Sequence, residues 1–223
     1  MIKATFFIGS LKSKPEQSNT VKVCKLAAKE LQEYGVSSKF RYLRNRRIAP
    51  GVEFNTGDSW DEMKIYYDDV NDSDIIVLAT PVWWGVHSSL CQAWMERIGA
   101  FDDQYIKEGK TPLYNKVFGS VVTASNDGFQ HIIGIFNSFA GNMGMTVPPE
   151  SHITWGTSLT HSKSAEDPSK NEETANLVIN ACRNWFLWAN TISKLDLGNT
   201  ALKIKPGKVG LNNMDKLSKS QQL

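Results

Sequence analysis

Cysteine is scarce in this chain: three in 223 residues, Cys24, Cys91 and Cys182, far apart and in no Cys-x-x-Cys pair. That excludes a disulfide framework, a structural zinc site and a four-cysteine iron–sulfur cluster, and it favours a reducing, cytoplasmic setting. Histidine is also rare, and His152 and His161 lack ligand spacing, so no metal is expected. No apolar run approaches the ~20 residues needed to cross a bilayer, and no membrane association is expected. The apolar start, Met1 to Ile8, is too short and too weakly basic for a secretory signal, and reads as a buried first strand. A strong charge of either sign is missing too. The net charge is +2, and the segment from Ala201 to Leu223 carries five lysines against Asp215 alone, which leaves the rest near −2. A near-neutral body without a basic stripe is no nucleic-acid surface. The tail reads as a solvated extension.

Two phosphate-binding fingerprints are absent as well. After the first strand, Gly9 stands alone where a dinucleotide motif needs Gly-x-Gly-x-x-Gly, and no Gly-Lys-Ser/Thr follows to make a P-loop.

What is present is alternation. With 41% hydrophobic and 22% charged residues, the chain has the composition of a folded domain. Short runs rich in β-branched residues predict strands at 4–8, 39–43, 74–79 and 116–123. A fifth is expected over 145–147 and 152–155, split by Pro148-Pro149. Amphipathic spacing predicts helices over 21–31, 60–70, 90–98, 129–143 and 173–192, the first capped within Ser18-Asn19-Thr20 and closed by Gly35. Residues 44–58 are a polar loop. Five strands alternating with helices, without repeat or linker, predict one α/β domain on a doubly wound, five-stranded parallel sheet. It would span 1–195, with 196–223 a basic C-terminal extension.

Such sheets bind ligands outside the carboxyl ends of their strands, where strand order reverses. Three loops emerge there. The first, Gly9 to Thr20, is rich in hydroxyls and amides, holds Lys12 and Lys14, and ends at a helix N-terminus. Free N–H groups, the helix dipole and hydroxyl donors there suit a terminal phosphate, although Ser18 or Thr20 could equally serve as an ordinary cap. The second, Thr80-Pro81-Val82-Trp83-Trp84-Gly85, sets adjacent tryptophans beside Gly85. They either frame a flat aromatic ligand or pack into the core or a subunit seam. The third, Thr123-Ala124-Ser125-Asn126-Asp127-Gly128, is small and polar and turns at Asp-Gly. Its N–H groups could meet the edge of a heterocycle. His131 reads as a surface or capping residue rather than a catalytic one. Trp155 either walls the substrate side or packs inward. The three cysteines read as packed thiols, and Trp185, Phe186 and Trp188 as cover for the sheet or a dimer seam.

These motifs, with the Trp94-Met-Glu-Arg97 helix, resemble the flavodoxin-like NAD(P)H-dependent FMN reductases, and among them the multimeric flavodoxin group, over roughly residues 2–195. The resemblance implies a flavodoxin-like fold and an FMN cofactor. Ser10, Lys12, Ser18, Asn19 and Thr20 would hold its phosphate. Pro81, Val82, Trp83, Trp84 and Gly85 would line the isoalloxazine and ribityl chain. Thr123, Ala124, Ser125, Asp127 and Gly128 would meet the pyrimidine edge. The first loop is longer than the compact Gly-Ser-Pro-Arg type of many relatives. NAD(P)H would supply hydride, and a quinone, azo dye, nitroarene or free flavin would take the electrons, with no side-chain acid or nucleophile required. The alternative is a flavodoxin-type electron carrier, which usually needs a strongly acidic surface that this chain lacks. A flavin-free interaction protein of the same fold is a third reading. Trp83, Trp84 and the aromatic last helix point to a homodimer or homotetramer.

Overall fold

The runs expected at 4–8, 39–43, 74–79 and 116–123 become strands, and the amphipathic stretches become helices packed by their apolar stripes. The computed structural model describes residues 1–109, 111–125, 127–156 and 167–195. Asn126, His161 and the extension 196–223 lie outside the described residues. The strands are β1 (Lys3–Ile8), β2 (Ser37–Tyr42), β3 (Ile75–Pro81), β4 (Val117–Ala124) and β5 (His152–Gly156). The helices are α1 (Asn19–Glu33), α2 (Lys64–Asp72), α3 (Ser89–Ile98), α4 (Ala100–Glu108), α5 (Phe129–Asn142) and α6 (Glu172–Ile192). The strands form one sheet in the order β2-β1-β3-β4-β5, with every neighbouring pair parallel. Strand order reverses between β1 and β3, the place where this fold leaves a crevice.

Period-two alternation sorts the strand residues between two cores. Ala4, Phe6 and Ile8 of β1, Val117 and Val121 of β4, and Ile153 and Trp155 of β5 face α1 and α6. Phe7, Ile76, Leu78, Phe118, Val122 and Ala124 face α2, α3 and α5. Close approach is specific at Gly119, where an added Cβ would lie 2.2 Å from the Trp185 indole. That indole is fully buried, and its Nε1 donates to Ser151 Oγ at 2.8 Å. Trp185 therefore covers the sheet, while Trp188 on the outer side of α6 stays half-exposed. All three cysteines are buried and free.

Three local expectations need adjusting. The helix expected from Trp60 begins only at Lys64. Asp61 is held outside it, accepting from Ala49 N at 3.0 Å and from the buried Arg97 Nη1 at 2.8 Å. Arg97 also donates to the carbonyls of Ala49 and Glu53, so one guanidinium pins the whole 46–61 excursion to the core. Helix α4 was not expected. Its apolar face is slight, with Ala100 and Phe101 buried and Ile106 exposed. Near Pro148-Pro149, Thr146 makes a single bridge to Val117, and the fifth strand proper starts at His152. No described helix is long and apolar enough to cross a membrane.

Candidate functional site

The carboxyl ends of β1, β3 and β4 open into a cavity of about 530 Å³, walled by Ser10, Leu11, Lys12, Ser18, Asn19, Thr20, Pro81, Val82, Trp83, Thr123, Ala124, Ser125 and Trp155. That volume is in the range of small-molecule sites, ~300–1,000 Å³. A larger depression of about 960 Å³ lies between α2, α4 and residues 53–61. Strand topology, not size, selects the smaller one, because only there do loops from three strand ends converge.

The first loop supplies the donors. Ser18 caps α1, its Oγ accepting from Val21 N at 3.4 Å. Ser10 Oγ donates to Ser18 Oγ at 2.8 Å and accepts from Lys12 N at 3.4 Å. A hydroxyl has two acceptor positions and one proton. Both acceptor positions of Ser18 are engaged from within the protein, so its own proton is left to donate outward. The cap reading and the phosphate reading of Ser18 are therefore compatible in one side chain. Asn19 and Thr20, at the start of α1, have backbone N–H groups without intrahelical acceptors. The helix dipole favours negative charge at this point. Thr20 Oγ1 lies 2.6 Å from Thr123 Oγ1, which ties α1 to the end of β4. Lys12 stands at the exposed rim, its Nζ donating to Gln17 O at 2.7 Å.

The second loop is a tight hairpin. Trp83 N donates to Val86 O at 2.8 Å, and Val86 N to Trp83 O at 3.0 Å. The two residues between them, Trp84 and Gly85, both have positive φ, at 52° and 80°. This is the type I′ pattern, which favours Asn-Gly or Gly-Gly. A bulky residue in that conformation is strained by roughly 1–3 kcal/mol. Trp83 lines the cavity, whereas Trp84 stands at the hairpin tip, 99% exposed and outside it. The base of the loop is fixed by Thr80, whose Oγ1 accepts from Ser88 N at 2.9 Å.

The third loop docks on the second. Val82 N donates to Thr123 O at 2.8 Å. Gly128 has φ +97°, and a Cβ there would come within 3.0 Å of Val82 Cγ1 and 3.3 Å of Gly85 Cα. The turn thus needs glycine both for its backbone and for its proximity. Thr123, Ala124 and Ser125 reach the cavity wall; Asp127, Gly128 and Gly85 do not. Of the residues expected from sequence, eleven meet in one cavity, while Trp84, Gly85, Asp127 and Gly128 form its outer turns. Leu11 joins the wall without having been anticipated, and Trp155 takes the wall position that its sequence left open. The signal for Trp155 is its register opposite Thr123, which only strand pairing reveals. His131 is exposed on α5, away from this wall. Cys91 is fully buried and lines no part of this cavity, and burial pushes its thiol up to about 11, which disfavours the thiolate.

A protein-family model described as NADPH-dependent FMN reductase matches residues 2–160. The chain belongs to that family. Two curated relatives resemble it more distantly. A Mycobacterium bovis protein named divalent metal cation transporter MntH is 29% identical over 157 residues, 69% of this chain and 23% of its own length. The 8-demethyl-8-aminoriboflavin-5′-phosphate synthase of Streptomyces davaonensis is 24% identical over 162 residues, 69% of this chain and 63% of its own length. This FMN reductase family member therefore spans less than two thirds of either relative. Among its described residues, no group of three or more His, Cys, Asp or Glu could hold a metal ion. The crystal structure of RosB with bound 8-demethyl-8-formylriboflavin-5′-phosphate matches with a TM-score of 0.75 at 20% identity, over 99% of this chain and 88% of that one. At that identity the likeness is one of fold: a flavodoxin-like α/β domain.

Proposed function

We propose that this FMN reductase family member binds FMN in the cavity at the ends of β1, β3 and β4 and passes electrons from NADH or NADPH to a small acceptor such as a quinone or a free flavin. FMN, when bound, supplies two-electron redox chemistry between a nicotinamide nucleotide and that acceptor. The chain's own residues bind and orient. The Ser18 hydroxyl and the Asn19 and Thr20 N–H groups donate to the phosphate, with Ser10 aligning Ser18 from behind. Pro81, Val82 and Trp83 line the flat ring and its ribityl chain. Thr123, Ala124 and Ser125 offer N–H groups to the pyrimidine edge, in a loop fixed in advance by the Val82–Thr123 backbone bond and the packing of Gly128 on Val82 and Gly85. The carrying observation is the donor set: an uncharged hydroxyl relay at a helix N-terminus, with no glycine fingerprint, suits a terminal phosphate rather than a pyrophosphate. The exposed Trp83 and Trp84 hairpin and the outer face of α6, with Ile179, Leu187 and Trp188 part-exposed, favour a homodimer or homotetramer.

A second reading is favoured by the likeness to RosB, whose crystal structure holds 8-demethyl-8-formylriboflavin-5′-phosphate, and to the Streptomyces davaonensis synthase, named for 8-demethyl-8-aminoriboflavin-5′-phosphate. There the flavin phosphate would be the compound acted upon rather than a resident cofactor. One experiment addresses both. Heat-released ligand is identified, and NAD(P)H consumption is followed with a quinone and with free FMN. Unmodified FMN on the protein with catalytic NAD(P)H turnover supports the reductase. A chemically altered flavin supports the second reading. A colourless protein that does not take up added FMN refutes both.

A further inference from the structure

Among the described residues, the cavity wall holds one buried side-chain N–H without an acceptor. Trp155 is only 3% exposed, and its Nε1 has no hydrogen-bond partner among the described residues. A buried N–H left unpaired is expensive, and most such groups find an acceptor. Trp94 carries an unpaired Nε1 as well, but it is sealed in the core and lines no cavity, so nothing is inferred there. Trp155 differs because its side chain forms part of the cavity wall.

Sheet geometry says which end of a ligand it meets. Trp155 is the register partner of Thr123. Residues paired across parallel strands share a face, and the face of Trp155 is the one covered by α1 and α6. Thr123 confirms that side, since its Oγ1 reaches Thr20 in the first turn of α1. The flat-ring side is lined from elsewhere, by Pro81, Val82 and Trp83. The indole therefore lies on the α1 side of the strand ends, the side that carries the first-loop donors.

Resting on the FMN reading above, we propose that Trp155 is a further phosphate-binding residue, its Nε1–H donating to an oxygen of the flavin 5′-phosphate. A phosphate oxygen is acceptor only and charged, which suits a donor that no described residue satisfies. The indole adds a donor without adding charge, as the Ser10–Ser18 relay does from the other side.

Trp155→Phe keeps an aromatic ring and removes the N–H. FMN is expected to bind about tenfold more weakly, which is ~1.4 kcal/mol, while riboflavin binds as before. The variant's preference for FMN over riboflavin should shrink by that same factor. An undiminished preference overturns the proposal while leaving the FMN reading intact. Wild-type protein that binds neither flavin overturns both. If the variant fails to fold, the wild-type protein decides alone by nitrogen-15 NMR. It has seven tryptophans, and one indole N–H signal must move with FMN but stay in place with riboflavin. Trp83, against the ring, should respond to both. Absence of any phosphate-dependent indole signal overturns the proposal.

Discussion

Ser18 is asked to do two things, and two substitutions separate them. Ser18→Ala removes the α1 cap and the outward donor together. Loss of an N-cap costs about 1 kcal/mol, and the long 3.4 Å bond to Val21 N argues for no more than that. For a domain of this size, 1 kcal/mol lowers Tm by roughly 2–4 °C. Loss of one hydrogen bond to a charged phosphate should cost ~1–2 kcal/mol of affinity, or about 5- to 30-fold in Kd. Ser18→Asp retains a cap, since aspartate is among the best N-cap residues and its charge suits the helix dipole. Its carboxylate would, however, face the phosphate. Like unit charges at ~4 Å repel by roughly 4 kcal/mol at an effective dielectric of ~20, so FMN affinity should fall by about two to three orders of magnitude. Thermal melts without ligand, and fluorescence titrations with FMN and riboflavin, read both effects. The expected pattern is a lower Tm only in Ser18→Ala, weaker FMN in both, and unchanged riboflavin in both. If Ser18→Asp binds FMN like the wild type, the phosphate does not sit at α1 and the site assignment fails.

Other outcomes follow from the same geometry. Gly128→Val forces a β-branched residue to φ +97° and against Val82, so stopped-flow reduction of bound flavin by NAD(P)H should slow more than FMN affinity weakens; an unchanged rate with FMN bound would remove the third loop from the chemistry. His152, whose Nδ1 lies 2.9 Å from Ser120 Oγ, is pushed by burial down to about 4 from an ordinary value near 6.5. Between those values the unfolded chain binds a proton that the folded one refuses, so stability should fall as pH drops from 6.5 toward 4. Chemical denaturation of His152→Gln should show a shallower pH slope over that window; an identical slope would sink the assignment. Sedimentation should give at least twice the 25.0 kDa chain mass at micromolar concentration; a single monomeric species would defeat the oligomer reading.

The strands were legible where burial is two-sided. Ile75 to Ala79 is a continuous apolar run, and Val117 to Val122 is apolar but for Gly119 and Ser120, because both faces of β3 and β4 are covered. The three strand-end loops were legible for a related reason, since residue order along the chain and strand order in this fold together dictate which loops meet. What the sequence could not reveal depends on partners distant in the chain. Asp61 is withheld from α2 by Arg97, thirty-six residues away. Trp155 acquires its place from Thr123 on the neighbouring strand. Trp83 and Trp84 look alike in sequence, yet one turn's pair of positive φ values sends the first inward and the second outward.

That turn has a consequence for how such an enzyme can diversify. Its tip is held by the backbone pair of Trp83 and Val86 and by the approach of Gly128 to Gly85, while the Trp84 side chain is spread into solvent away from both cores. Exchanging the residue there for asparagine or glycine would relax the backbone rather than disturb the packing. Inheritance can therefore vary what the mouth of the cavity offers to an incoming molecule almost independently of what keeps the chain folded. The hairpin works as an interchangeable fitting on a fixed sheet flanked by helices, and lineages that share the scaffold are free to differ at that tip.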